Sequence, residues 1–549
     1  MTAQAGSAAR PEAEVHESWV PMIVIAMGQA LMSFNVAALP VSMSGMVNSF
    51  NTPPTTVATA IVMYSLGVSG FVMLGGKLGQ RFGSKMFFQV AVTLFLAAMV
   101  LMVISPTAAV MVSAQGLAGF AGAALVPSLV ALIANHYRGT QQAKAVGLLG
   151  SARAIAGVLA FVIVGYVAAI NWRLAFALLI AHAAAILLLS FKLKPSVGKP
   201  EVKIDGVGVA LAALGIILIS FGFNNLRTWG VLLARPAAPF DLAGASPAPV
   251  MIVVGIAIFM TFFMWSHKLA AAGKTPLLAL EVVDSPKEWV AVLSLFIVVA
   301  IEGSINFMVP LYIQIVQGRS SAATSVTMMP FMLTVFFTAI LIVRLYNRFT
   351  PRQIARCAFL LVTAGALWLA TVVRNDWSVA PVILGLIIVG LGQGALVTLL
   401  FNVLVTSSPK ELAGDVGSLR GVTQNLAAAV GTAVIGALVV GVLSAGILTH
   451  VASSPLITAE MKAEVDLDSI NFLSNERLKE RFEHTTATPE QVAEAVRINT
   501  ETRLRALKMG FFVLATLALL AIVPSSWLPD YKPGDIPGGQ PQGAAARSR

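Results

Sequence analysis

Four ionisable side chains stand inside long apolar runs: Arg153, His182, Glu302 and Arg420. An acid or base whose surroundings alternate between wet and dry binds its proton with alternating strength. The bland reading of each is a static ion pair, a packed polar group or, for Arg420, a cation stretched to the surface. Nucleophile and metal chemistry have no comparable residues. There is one cysteine, Cys357, and no His-Glu-x-x-His, Gly-x-Ser-x-Gly or Cys-x-x-Cys. The stretch GGKLGQRFGSKMFF (75–88) crowds glycines and cations as a phosphate loop would. A phosphate loop, however, needs four residues between its glycine and Gly-Lys-Ser/Thr, after a strand. Here the order is Gly83-Ser84-Lys85 between helix-length apolar runs. What remains is proton handling and solute binding, and no enzyme.

The elements that hold these residues are spans. Of 549 residues, 57% are hydrophobic and 11% charged, against about 25% charged in soluble domains. A span needs about 20 mostly apolar residues. Such runs lie near 19–43, 56–76, 86–105, 107–134, 145–169, 172–191, 205–225, 249–266, 289–315, 322–343, 353–373, 379–406, 413–448 and 506–526. They are continuous, not alternating, so helices and not barrel strands are predicted. Basic linkers divide them into six, two and six. The expected organisation is a tail 1–18, a six-helix bundle 19–191, linkers with two inserted helices 192–288, a second bundle 289–526 and a disordered tail 527–549. Carriers built from repeats show such halves, and the basic VRLYNRFTPRQIAR (343–356) sits where the second half would repeat 75–88.

Lysine and arginine set the orientation. With the N-terminus cytoplasmic, short inner loops hold eighteen cations and short outer loops five. Both termini are therefore expected in the cytoplasm, and the net charge of +11 reads as a topology signal, not a nucleic-acid footprint. Seven tryptophans, Trp172 among them, fall at predicted span ends, the headgroup level. The first apolar run is too long for a signal peptide. Residues 450–503 are expected outside, with a short helix opened by Thr488, Pro489 and Gln491.

Gly76, Leu78, Arg81, Gly83 and Lys85 stand in the register Gly-x-Leu-x-Asp-Arg-x-Gly-Arg-Lys, with Gln80 for the aspartate and Ser84 for an arginine. This resembles the signature loop of the major facilitator superfamily. Fourteen spans, NWRLAF (171–176), PLYIQIVQGRSSAATSVTMMP (310–330) and the run 390–438 narrow the resemblance to its drug:proton antiporter branch. The resemblance implies a major facilitator fold and a loop whose charges latch the halves on the cytoplasmic side. It also implies a cavity lined by spans one, four, nine and twelve. That places Gln29, Asn35, Gln115, Glu302, Asn306, Gln393 and Asn402 near the solute, unless these amides only glue helices together.

The chain departs from the branch where coupling is concerned. GQALMSFNVAALP (28–40) lacks the first-span aspartate, Gln115 stands for the fourth-span arginine, and only Gly165 survives of the fifth-span antiporter motif. Glu302 is left as the candidate proton carrier, with Arg153 as its candidate partner. The implied function is export of amphipathic compounds by proton antiport across the cytoplasmic membrane. Its alternatives are export of an anionic or lipid-like metabolite anchored by Arg153, or a carrier-like sensor or scaffold that transports nothing. The implied partners are a small organic solute, protons and the bilayer, and a periplasmic adaptor where the source is Gram-negative. No cofactor, metal or nucleic acid is implied.

Overall fold

The computed structural model describes residues 18–530, apart from 138, 231–232, 237, 284, 343–344, 346–347, 376–377, 408–412, 458–471, 473 and 484–486. In the first half these form α1 (Val20–Val41), α2 (Met43–Phe50), α3 (Pro54–Phe82), α4 (Ser84–Ile104), α5 (Ala108–His136), α6 (Gly139–Ile170) and α7 (Trp172–Ser190). The inserted pair is α8 (Gly206–Trp229) and α9 (Pro247–Ala271). Then come α10 (Pro286–Pro310), a π-helical turn (Leu311–Val316), α11 (Ser321–Leu341), α12 (Pro351–Val372), α13 (Val379–Ser407) and α14 (Ala413–Ser453). The chain closes with α15 (Asn475–Glu483), α16 (Pro489–Leu520) and α17 (Ile522–Ser525). Among the described residues, thirteen helices are long and apolar enough to cross a bilayer, and α6 adds the apolar segment Ile155–Ile170. The chain is an all-α, multi-pass membrane protein, as its hydropathy predicts.

α1 packs on α6 and α7, and α5 on α3 and α4. In the second half α10 packs on α13 and α14, α12 on α13 and α16, and α11 on α13. Two seams join the halves, α3 against α14 and α6 against α11. α8 lies over the first seam, with Ile217 and Phe223 against Val62, Leu66, Ala429 and Ala433. Asp205 caps α8 by accepting from the Gly208 N–H, and the Trp265 indole of α9 donates to the same carboxylate at 3.1 Å. The inserted helices are thus tied to each other at that end.

The structure corrects several expectations. The stretch 75–82 is helix, not loop. α3 runs on to Phe82, and Gly83 alone, at φ +92°, breaks it before α4. Thr488 does cap a helix, with Gln491 completing the box. That helix is not short: no glycine or proline follows until Gly510, so it propagates directly into the last span. The described part of 450–503 is accordingly mostly helical, and 458–471, 473 and 484–486 lie outside the described residues. The tail does not come loose at 527. Leu528 is fully buried, its carbonyl accepts from Arg352, and Asp530 pairs with Arg352 at 3.4 Å. Residues 531–549 lie outside the described ones, as does Trp377. Trp172 is no headgroup anchor. It is buried between Phe50 and Phe176, and its indole donates to Ser49 at 2.8 Å.

Candidate transport site

Glu302 sits within α10, half-buried, and its Oε2 accepts from Gln393 Nε2 of α13 at 2.8 Å. Two glycines place that amide. A Cβ on Gly392 would strike the Ala358 carbonyl of α12, and one on Gly394 the Val335 carbonyl of α11. Only glycine at both lets α13 settle between α11 and α12 with Gln393 wholly buried between them. α10 is held as tightly. A Cβ on Gly431 of α14 would meet the Ala300 carbonyl, and Ser304 donates to the Gly431 carbonyl at 3.0 Å. Glu302 therefore lies between two fixed contact points one turn apart.

Asn306 follows Glu302 by four residues and shares its helix face. Its Oδ1 and the Oε1 of Gln393 are buried and meet no donor among the described residues. An unmatched buried acceptor costs about 1–3 kcal/mol. A solute bearing N–H, O–H or positive charge would relieve that cost, so a carboxylate flanked by two such oxygens suits a cationic or donor-bearing guest. Towards the other end of α13, Asn402 is half-buried and already engaged by a neighbour. The Arg420 guanidinium carbon lies 3.9 Å over the Phe401 ring. Arg420 is thus held on an aromatic face instead of reaching for the surface.

The first half uses its amides differently. Asn35 of α1 and Gln115 of α5 are fully buried and exchange both hydrogen bonds, at 2.9 and 3.2 Å. They face each other and not an open cavity. Gln29 bonds to Ser33 on its own helix at 3.5 Å. His182 lies 3.0 Å from the Met27 carbonyl, a packed polar group. Arg153 falls on α6, but its side chain lies outside the described residues, and so does any pairing with Glu302.

In the signature stretch Gly76 faces the other half: a Cβ there would stand 3.7 Å from Ser418. Leu78 is half-buried, while Gln80 and Arg81 are exposed, with the Arg81 guanidinium over its neighbour Phe82. Lys85 makes the charged contacts. Its Nζ donates to the Phe191 and Leu193 carbonyls at 3.0 and 2.6 Å, and its N–H to Ser196 Oγ at 2.8 Å. A cation there satisfies carbonyls at the end of α7. Gly83 makes room for the same linker, since a Cβ would strike the Ser196 carbonyl. Among the described residues, then, Lys85 clasps its own half, and the charges of this stretch do not latch the two halves together. The second half repeats the device, with Arg352 at the start of α12 holding the Leu528 carbonyl after the last span.

A contact that does cross the halves is Gln314, buried in the π-helical turn and bonded to backbone atoms of Pro40 and Ser44. Sequence spacing carries no sign of it, because its partners are main-chain atoms far away in the chain.

The sequence profile of the Major Facilitator Superfamily matches residues 25–432. The chain belongs to that superfamily. Among the relatives of this facilitator, a probable actinorhodin transporter of Streptomyces coelicolor is 25% identical over 386 residues, 68% of this chain. The match spans 64% of that relative, just under two thirds of its length. The methylenomycin A resistance protein of Bacillus subtilis is 23% identical, over 75% of this chain and 86% of its own. The multidrug efflux pump LfrA of Mycolicibacterium smegmatis is 23% identical, over 76% and 80%. Among solved structures, a bacterial homologue of the human lysosomal transporter Spinster, inward-facing and unoccupied, superposes with a TM-score of 0.61. It shares 13% identity over 93% of this chain and 98% of that one. A D-xylose–proton symporter gives 0.59 at 11% identity, over 94% and 99%. At such identities the likeness concerns the fold alone. The family and the fold are those of transporters, not enzymes.

Proposed function

We propose that this facilitator exports amphipathic organic compounds across the cytoplasmic membrane in exchange for protons. Glu302 carries the proton, and Gln393 and Asn306 help hold the solute. The observation that supports this most is the Gln393–Glu302 hydrogen bond of 2.8 Å beside two buried, unmatched amide oxygens. A carboxyl that accepts from an amide N–H can exchange that partner for a solute's donor. The solute then takes the place of the proton, and release of one favours uptake of the other. The multidrug efflux pump and the antibiotic resistance protein among the relatives, though distant, are consistent with the solute class. Both termini lie in the cytoplasm by the charge bias of the loops.

The test is uptake of an amphipathic fluorescent cation, such as ethidium, by vesicles of the purified protein under an imposed proton gradient. The expected result is uptake that collapses when the gradient is dissipated. Uptake indifferent to the gradient contradicts proton antiport. No uptake of cationic, anionic or lipid-like probes under any gradient supports the scaffold instead.

A further inference from the structure

Pro40 stands near the end of α1, and the helix breaks at Ser42 before α2 begins at Met43. Proline removes one i→i−4 hydrogen bond and crowds the preceding turn. Past the proline, an unbroken helix would also carry a bond from the Ser44 N–H to the Pro40 carbonyl. Here that bond is replaced by a side chain from the other half. Gln314 Oε1 accepts from the Ser44 N–H at 2.9 Å, and Gln314 Nε2 donates to the Pro40 carbonyl at 2.9 Å. Only one orientation of the amide gives both groups a partner, since one must donate and the other accept.

The π-helical turn that carries Gln314 is anchored to its own half. The Tyr312 hydroxyl and the Gln317 amide both donate to the Arg374 carbonyl, at 2.8 and 2.6 Å. Gln314 is 3% exposed. Above it opens a cavity of about 630 Å³ between the halves, bordered by Asn48, Asn51, Arg319, Phe472, Glu476 and Arg477.

We infer that Gln314 is the latch between the halves at this end, the end remote from Gly83, and that it works by inserting its amide into the broken backbone of α1. The element has two states. Latched, Gln314 satisfies the Ser44 N–H and fills the second acceptor position of the Pro40 carbonyl, which also accepts from a backbone N–H at the end of α1. Released, they are free to bond to each other, so α1 and α2 run on as one helix and the halves part. Carrier halves that rock about a fixed site need such a bistable contact. Both states satisfy the same two backbone groups, which keeps the difference between them small.

The test is cysteine labelling of purified protein. Cys357 is first replaced by serine, because it is exposed. A reporter is then made as Ser42→Cys, a fully buried position whose hydroxyl meets no partner among the described residues. Maleimide reaches it only when this end opens. Loss of two hydrogen bonds in Gln314→Leu is expected to speed labelling roughly tenfold or more. Gln314→Glu gives the sharper result. A neutral carboxyl can accept from Ser44 and donate to Pro40 as the amide does, whereas a carboxylate has no proton to donate. The charged groups facing it are Arg319 from its own half and Glu476 and Arg477 of α15. Relative to the parent at the same pH, Gln314→Glu is expected to label slowly in mildly acidic buffer and fast in alkaline buffer. If Gln314→Leu fails to fold, the Gln314→Glu pair of conditions decides alone. Parental labelling of Gln314→Leu, or a Gln314→Glu ratio that ignores pH, overturns the latch. No solute is needed, so this result stands apart from that of the export assay.

Discussion

Asn35 and Gln115 in the first half exchange both of their amide hydrogen bonds, whereas Gln393 in the second gives its N–H to Glu302 and leaves its oxygen unmatched. A closed pair has nothing to gain from a guest. Breaking it strands two buried polar groups, so it behaves as a rivet between α1 and α5. The Glu302–Gln393–Asn306 group has two amide oxygens unmatched among the described residues and a titratable centre, so on the proposed function its partners change during the cycle. On the proposed function, polar side chains within the spans thus serve fixed structure in the first half and exchange of partners in the second.

The comparison is broken most severely at Glu302. Glu302→Gln keeps the shape and removes the proton. Gradient-driven uptake is expected to vanish, while the protein inserts and still exchanges solute for solute. Gln393→Leu comes next. Removing a hydrogen bond to a charged group is worth about 1.5–3 kcal/mol, and the loss is expected in solute affinity and in the pH at which driven uptake is half-maximal. The first half gives the contrasting result. Gln115→Leu strands Asn35 and is expected to cost about 1–3 kcal/mol in thermal unfolding, whereas the double Asn35→Leu/Gln115→Leu recovers most of it. Driven uptake per folded molecule stays normal in both. A coupling defect in the double variant would erase the contrast between the halves.

The smallest effects are expected in the signature stretch, and their order sharpens the account of that loop. Gly83→Val forces a β-branched residue into φ +92° against the Ser196 carbonyl and impairs transport. Lys85→Met releases the clasp on Phe191 and Leu193 and has a milder effect on uptake. Arg81→Ala, at an exposed side chain that lies over Phe82, changes little. A reversed order, with Arg81 the most sensitive, would return the loop's charges to a latch between halves.

Spans were legible because each needs only a run of apolar residues, and the capping box at Thr488 because its signal is local. Glu302 was legible because a charge in such a run demands a reason. Its contact with Gln393 was not, since the two stand 91 positions apart and are brought together by glycine contacts that hydropathy does not see. Asn35 and Gln115 were visible as polar residues in spans, but not as partners. Gln314 escaped for a different reason. It answers the backbone break between α1 and α2, and backbone groups leave no residue type to read. The clasp by Lys85 was read as a link across the halves because the resemblance supplied the residues without their partners.

The most direct measurement is proton release on solute binding. Ethidium is added to detergent-solubilised protein in weakly buffered solution, and the pH change is recorded for the parent, for Glu302→Gln and for Asn35→Leu/Gln115→Leu. The parent and the double variant are expected to release protons as they bind the solute, and Glu302→Gln to bind it without release. Proton release from Glu302→Gln equal to the parent's would contradict the claim that solute and proton compete for this carboxyl.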